Sequence, residues 1–150
     1  MMSAHYLDGV RVALGSDEET PTVEAVARHL SDAGHVVERV GEGSEWPEVG
    51  KLVGSAVADG SADFGVVCCW TGTGVSIAAN KVAGVRAALC ADSATAAGAR
   101  RWNDANVLAL SLRATTPAVA GEILDAWLSA TPDPEELGAV ARVEPSRRAQ

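Results

Sequence analysis

No stretch of the 150-residue chain stays apolar over the ~20 residues that a membrane-spanning helix needs. The opening MMSAHYLDG has neither a basic segment nor a hydrophobic one, so no secretory leader is expected. Cysteine is scarce. The three present are odd in number and two are adjacent, which excludes a disulfide framework, and no C-x-x-C pair offers a zinc site. The expectation is a metal-free protein in a reducing, cytoplasmic setting. Positive charge is also short. Twelve Lys and Arg face 20 Asp and Glu, a net charge of −8, which argues against nucleic-acid binding because that needs a basic face. A small anion can still find a local positive site. Internal repeats, low-complexity tracts and shifts in composition are absent as well. Residues 1–150 are therefore expected to form a single domain, with 131–150 as a C-terminal arm.

Five short apolar runs are present: VRVAL (10–14), VVERV (36–40), FGVVCC (64–69), VRAAL (85–89) and VLALS (107–111). Several are nearly continuous rather than alternating, as in parallel strands covered on both faces. Helical patterns separate them. Residues 21–33 place Val23, Val26, Ala27, Leu30 and Ala33 on one face, with Gly34 as a stop signal. Residues 47–58, 93–102 and 117–128 repeat the theme. The alternation predicts an α/β fold: a three-layer α-β-α, Rossmann-like, doubly wound sheet of five parallel strands.

Ligands of such sheets lie beyond the carboxyl ends of the strands. That rule selects residues 15–19, 41–46, 70–75, 90–93 and 112–115. The third of these loops follows two cysteines, in VVCCWTGTGVSIAANK (66–81). Gly72-Thr73-Gly74 before a helix start can point several N–H groups into one concavity, an anion site. It is neither the dinucleotide fingerprint, because Ile77 stands at the third glycine, nor a P-loop. A plain tight turn is the other reading. A strand-end thiol facing that helix start can have its pKa lowered and take a proton from carbon, while the loop holds the oxyanion. That is a sufficient set for a cofactor-free aldose–ketose shift. Alternatively, Cys68 and Cys69 are small core residues. By alternation, one of the pair points to each face.

The stretch GVVCCWTGTGVSIAANKVAGVRAALC, followed by WNDANVLALSLR, resembles the ribose-5-phosphate isomerase B family, which includes the galactose-6-phosphate isomerase subunits. S-I-A-A-N-K and N-D-A-N-V-L carry most of the specificity, and VRVALGSD and EWPEV extend the likeness. The resemblance implies a catalytic base at Cys69, with Thr71 moving the proton between oxygens. It implies an anion hole at Gly72, Thr73, Gly74 and Val75. Substrate contacts fall on Asp17 and Asn103, and phosphate contacts on Arg113 and Arg142. The implied ligand is a sugar or sugar phosphate. The implied assembly is a homodimer whose arm reaches the neighbour's site. No cofactor and no metal are implied.

Four positions around the pocket, and the arm, depart from the family pattern. Glu18 replaces a His, Trp102 replaces the His that opens the sugar ring, Trp70 replaces a Gly and Trp46 a Tyr. The arm reads Leu137-Gly138-Ala139 where the family has G-R-H. Trp46, Trp70 and Trp102 map around the pocket, where they either stack on a ligand or fill volume. Glu18 is either a substitute acid/base or a solvated residue before a helix. Arg100 and Arg101 read as a solvated helix face, Cys90 as packing, and His5, His29 and His35 as ordinary surface or helix-flank residues. Three functions stay open: a sugar-phosphate isomerase using Cys69 and an enediolate, a relative using the same thiol and anion hole on another carbonyl compound, and a non-catalytic subunit or ligand sensor.

Overall fold

A computed structural model describes residues 8–145. His5 and the last five residues of the arm lie outside them. The elements are β1 (Arg11–Ser16), α1 (Pro21–Asp32), β2 (Val36–Arg39), α2 (Trp46–Ala58), β3 (Phe64–Cys69), α3 (Thr73–Asn80), β4 (Ala87–Leu89), α4 (Ser93–Asn103), β5 (Val107–Ser111), α5 (Pro117–Ser129), a 3₁₀ turn (Pro134–Glu136) and α6 (Leu137–Val143). All strand pairs are parallel and the sheet order is β2-β1-β3-β5-β4.

The helices follow from that order. Crossovers between parallel strands are right-handed, so a reversal of direction along the sheet sends the next helix to the opposite face. Accordingly α1, α4 and α5 cover one face, where Val23, Val26 and Leu30 meet Ile123, Leu124 and Trp127. The other face is covered by α2 and α3, with Val49, Val53, Val75 and Ala79. These two helices approach closely at Gly50, where an added Cβ would stand 2.6 Å from Ala78 Cβ. β3 is buried at every position, which explains its unbroken apolar run. Each fully buried Val or Leu contributes about 1.5–3 kcal/mol.

Strand four is shorter than its sequence suggests. Val85 packs under α2 and α3, and Arg86 is drawn into ion pairs, so only Ala87–Leu89 joins the ladder. Arg100 is not solvated: it is 5% exposed. Its Nη1 donates to Asp104 Oδ1 (3.0 Å) and the Ala105 carbonyl (2.7 Å), and its guanidinium lies 4.6 Å from the Phe64 ring centroid. His35 is buried too, and its Nδ1 accepts from the Val10 amide at 3.2 Å. Arg100 finds its polar partners four and five residues on, but Phe64, and Val10 for His35, are remote in sequence and are brought in by the fold.

Candidate active site

Five helices begin at the carboxyl ends of the strands, and their starts differ. Thr20, Asp92 and Thr116 cap α1, α4 and α5 through side-chain oxygens, each worth about 1 kcal/mol. No side chain caps α2 or α3. At α3 the first backbone bond within the helix runs from Ser76 N–H to the Gly72 carbonyl (3.2 Å). The amides of Thr73, Gly74 and Val75 precede it and lie at the positive end of the helix, where an anion is favoured.

Cys69 ends β3 and pairs in register with Ser111 of β5. The two strand exits stay zipped beyond the sheet. Leu112 N–H donates to the Cys69 carbonyl and Arg113 N–H to the Trp70 carbonyl, both at 2.9 Å. Ser111 Oγ also donates to the Trp70 carbonyl, at 3.0 Å. This fixes Arg113 beside the cysteine loop. Its side chain is exposed and has no ion-pair partner among the described residues.

The loop's shape depends on two glycines. Gly72 has φ +75°, a left-handed conformation that other residues adopt at a cost, and a Cβ there would lie 2.9 Å from the Leu110 carbonyl carbon. Gly74 lies under the Trp46 indole; a Cβ would meet the ring at 2.9 Å. Thr71 and Thr73 share a hydroxyl–hydroxyl bond of 2.8 Å, so the Thr71 oxygen is held at the mouth of the loop.

The adjacent thiols separate as alternation predicts. Cys68 joins the core under α1, α4 and α5, and burial first, then the charges of Cys69 and Asp17, push its thiol up to about 12. Cys69 faces the α2 and α3 side. Cys90 is fully buried, and desolvation pushes it up to about 11, which agrees with packing.

After β1, Ser16 Oγ donates to the Glu18 carbonyl (2.6 Å) and accepts from the Glu18 amide (3.2 Å), fixing the turn. Asp17 Oδ1 is buried and lacks a hydrogen-bond partner. A cavity of about 500 Å³ is lined by Asp17, Glu18, Gly43, Ser44, Glu45 and Trp46. Glu45 is a residue that sequence reasoning missed. The strand-end rule selected its loop, but of that loop only Trp46 was singled out.

Cys69, Thr71, the Gly72–Val75 amides, Asp17, Glu18, Trp46, Trp70 and Arg113 thus share the carboxyl-end crest. Trp102 and Asn103 do not join them within one chain. They end α4, next to the start of β5, so they lie at the opposite end of the sheet, roughly 15 Å along a five-residue strand. There they line a second cavity, of about 610 Å³, with Asn80, Arg86, Val140 and Glu144. Arg142 sits on α6 at that same end, where Glu144 holds Arg86 at 2.7 Å and Asp133 N–H bonds the Arg101 carbonyl at 2.7 Å. No group of three or more His, Cys, Asp or Glu fit to hold a metal occurs among the described residues. No described helix is long and apolar enough to cross a membrane.

A parallel sheet with a thiol, a hydroxyl and an uncapped helix start at one strand exit is the arrangement of an α/β protein that takes a small anionic ligand there. Residues 12–144 match the family described as Ribose/Galactose Isomerase. The D-erythrulose-4-phosphate isomerase of Pectobacterium atrosepticum is 37% identical over 125 residues, 79% of this chain and 82% of its own. Ribose-5-phosphate isomerase B of Escherichia coli is 45% identical over 89 residues, 59% of this chain and 60% of its own. The structure of Clostridium thermocellum ribose-5-phosphate isomerase B superposes with a TM-score of 0.84 at 37% identity, over 89% of this chain and 94% of that one. The chain belongs to the ribose/galactose isomerase family, a family of sugar-phosphate isomerases.

Proposed function

We propose that this protein is an aldose–ketose isomerase in which Cys69 is the base. The Cys69 thiolate takes a proton from the carbon beside the substrate carbonyl. The electrons pass to the carbonyl oxygen, giving an enediolate. The Gly72–Val75 amides stabilise that oxygen, and Thr71 passes a proton between the two oxygens. Reprotonation at the neighbouring carbon completes the shift. The observation that carries this reading is the uncapped start of α3 directly beyond Cys69. The three free thiols fit a reducing, cytoplasmic setting.

The placement of Trp102, Asn103 and Arg142 away from Cys69 supports a homodimer with shared sites. Asn103 and Arg142 of the partner subunit then complete the substrate and phosphate contacts. The C-terminal arm completes the single 1–150 domain in this reading.

Trp102 stands where the family has its ring-opening His, and an indole cannot exchange a proton at neutral pH. A tetrose esterified at its terminal hydroxyl cannot close a five-membered ring and needs no opener. Tetrose phosphates, the class named for the Pectobacterium relative, therefore lead the substrate panel.

The test is deuterium incorporation at carbon from heavy water, followed by NMR, with tetrose, pentose and hexose phosphates and the free sugars. Exchange with at least one phosphate, lost in Cys69→Ala, is expected. Cys69-independent exchange, or none with any substrate, would overturn the reading. Chains carrying Cys69→Ala and Asn103→Ala, inactive separately, should regain activity when mixed if sites are shared.

A further inference from the structure

The sheet order places β3, with Cys69 and its loop, between β1 and β5. The two flanks of that loop carry opposite charge. On the β1 side, Asp17, Glu18 and Glu45 line the 500 Å³ cavity. Arg39, the cation at the end of the neighbouring β2, is already committed. Its Nη1 meets Glu24 at 2.8 Å, its Nη2 meets Glu19 at 3.0 Å and its Nε faces Glu42 at 3.9 Å. One guanidinium among three carboxylates leaves nothing for an incoming anion. The start of α2 is likewise supplied with negative charge, by Glu45 and by Glu48 in its first turn. On the β5 side stands Arg113, exposed and without an ion pair among the described residues.

We propose that Glu18 and Glu45 orient the substrate by charge. Its phosphate is turned to the Arg113 flank, its hydroxylated end enters the carboxylate-lined cavity, and a sugar carrying phosphate at both ends is refused. This rests on the isomerase reading of the crest and names which end of the substrate each flank takes. Carboxylates accept hydrogen bonds from hydroxyls, and the unpartnered Asp17 Oδ1 is such an acceptor. Trp46 adds an apolar face 44% exposed, suited to the C–H face of a sugar. A phosphate dianion in the same cavity meets the like charges of Glu18 and Glu45. The flanks are two strand spacings apart, about 10 Å, so the loop between them is reached from either side.

The test is calorimetric titration of the full chain with two probes, ribose 5-phosphate and ribulose 1,5-bisphosphate. The wild type should bind the monophosphate at least tenfold more tightly than the bisphosphate. Glu18→Lys and Glu45→Lys, on separate elements, should each shrink or invert that ratio by tenfold or more. Glu45 makes no capping bond, so its replacement removes no hydrogen bond from α2. A wild type that binds the bisphosphate as well as the monophosphate, binds neither, or keeps its ratio in both variants would overturn the proposal. Deuterium exchange on the same samples reads the isomerase chemistry separately. Lost chemistry with the affinity ratio intact sinks the reaction, and intact chemistry with no charge discrimination sinks only the orientation.

Discussion

The adjacent cysteines offer a matched pair of perturbations. Cys68 is 0% and Cys69 5% exposed, on one strand and on opposite faces. Replacing either by Ala removes one buried sulfur. Each deletion should cost about 1–2 kcal/mol. Against a total stability of about 5–15 kcal/mol, both variants stay folded. The melting temperature should fall by roughly 3–6 °C in each. The chemical consequences should differ widely. A thiol held at about 12 is ionised in only about one molecule in ten thousand at pH 8, so Cys68 cannot stand in for its neighbour. Loss of a general base costs about 10²–10⁴ in rate. Cys69→Ala should therefore lose at least a hundredfold in carbon–deuterium exchange, while Cys68→Ala keeps its rate within about twofold. Thermal melts by circular dichroism and exchange by NMR, on one preparation of each, decide the matter. Equal losses in both variants would mean that burial, not base chemistry, controls the rate. A Cys69→Ala variant with the wild-type rate would remove the thiol from the mechanism.

Two further outcomes follow from the geometry. Gly72→Ala puts a side chain on a left-handed residue and 2.9 Å from the Leu110 carbonyl carbon, so stability should fall by about 2 kcal/mol or more and exchange should drop with it. A variant with wild-type melting and rate would refute this account of the loop. His35 is held neutral: burial lowers its pKa below 6.5, and its Nδ1 must accept from Val10. The unfolded chain then binds more protons than the folded one, so this contribution is complete above about pH 6.5 and is lost as the pH falls below it. The gap in melting temperature between wild type and His35→Gln should narrow from pH 7 to pH 5, and a gap independent of pH would contradict the neutral buried ring.

The element pattern was legible because its causes are local. Continuous apolar runs marked β3 and β5, and one-sided apolar spacing marked α1 and α5. The strand-end rule found the crest, and alternation separated Cys68 from Cys69 correctly. Arg100 was misread because a charged pair on a helix normally faces water. Asp104 and the Ala105 carbonyl meet its guanidinium from the next residues along the chain, and only the fold supplies the Phe64 ring. His35 was misread for the same reason, since its partner Val10 is 25 residues away. The grouping of Trp102 with Trp46 and Trp70 came from the resemblance, and one chain places Trp102 at the other end of α4.

The sequence by itself determined which segments are strands and helices, which thiol can reach a loop, and which family the loop resembles. Periodicity, capping and turn chemistry act over a few residues and are written into neighbours along the chain. The tertiary structure alone decided the strand order, and with it the flanks of the cysteine loop. Because β3 lies between β1 and β5, the loop carboxylates after β1 and Arg113 after β5 fall on opposite sides of the Cys69 strand. Burial likewise belongs to the assembled layers. It keeps Cys68 and Cys90 protonated and His35 neutral, since the cost of charging a group depends on every segment packed around it.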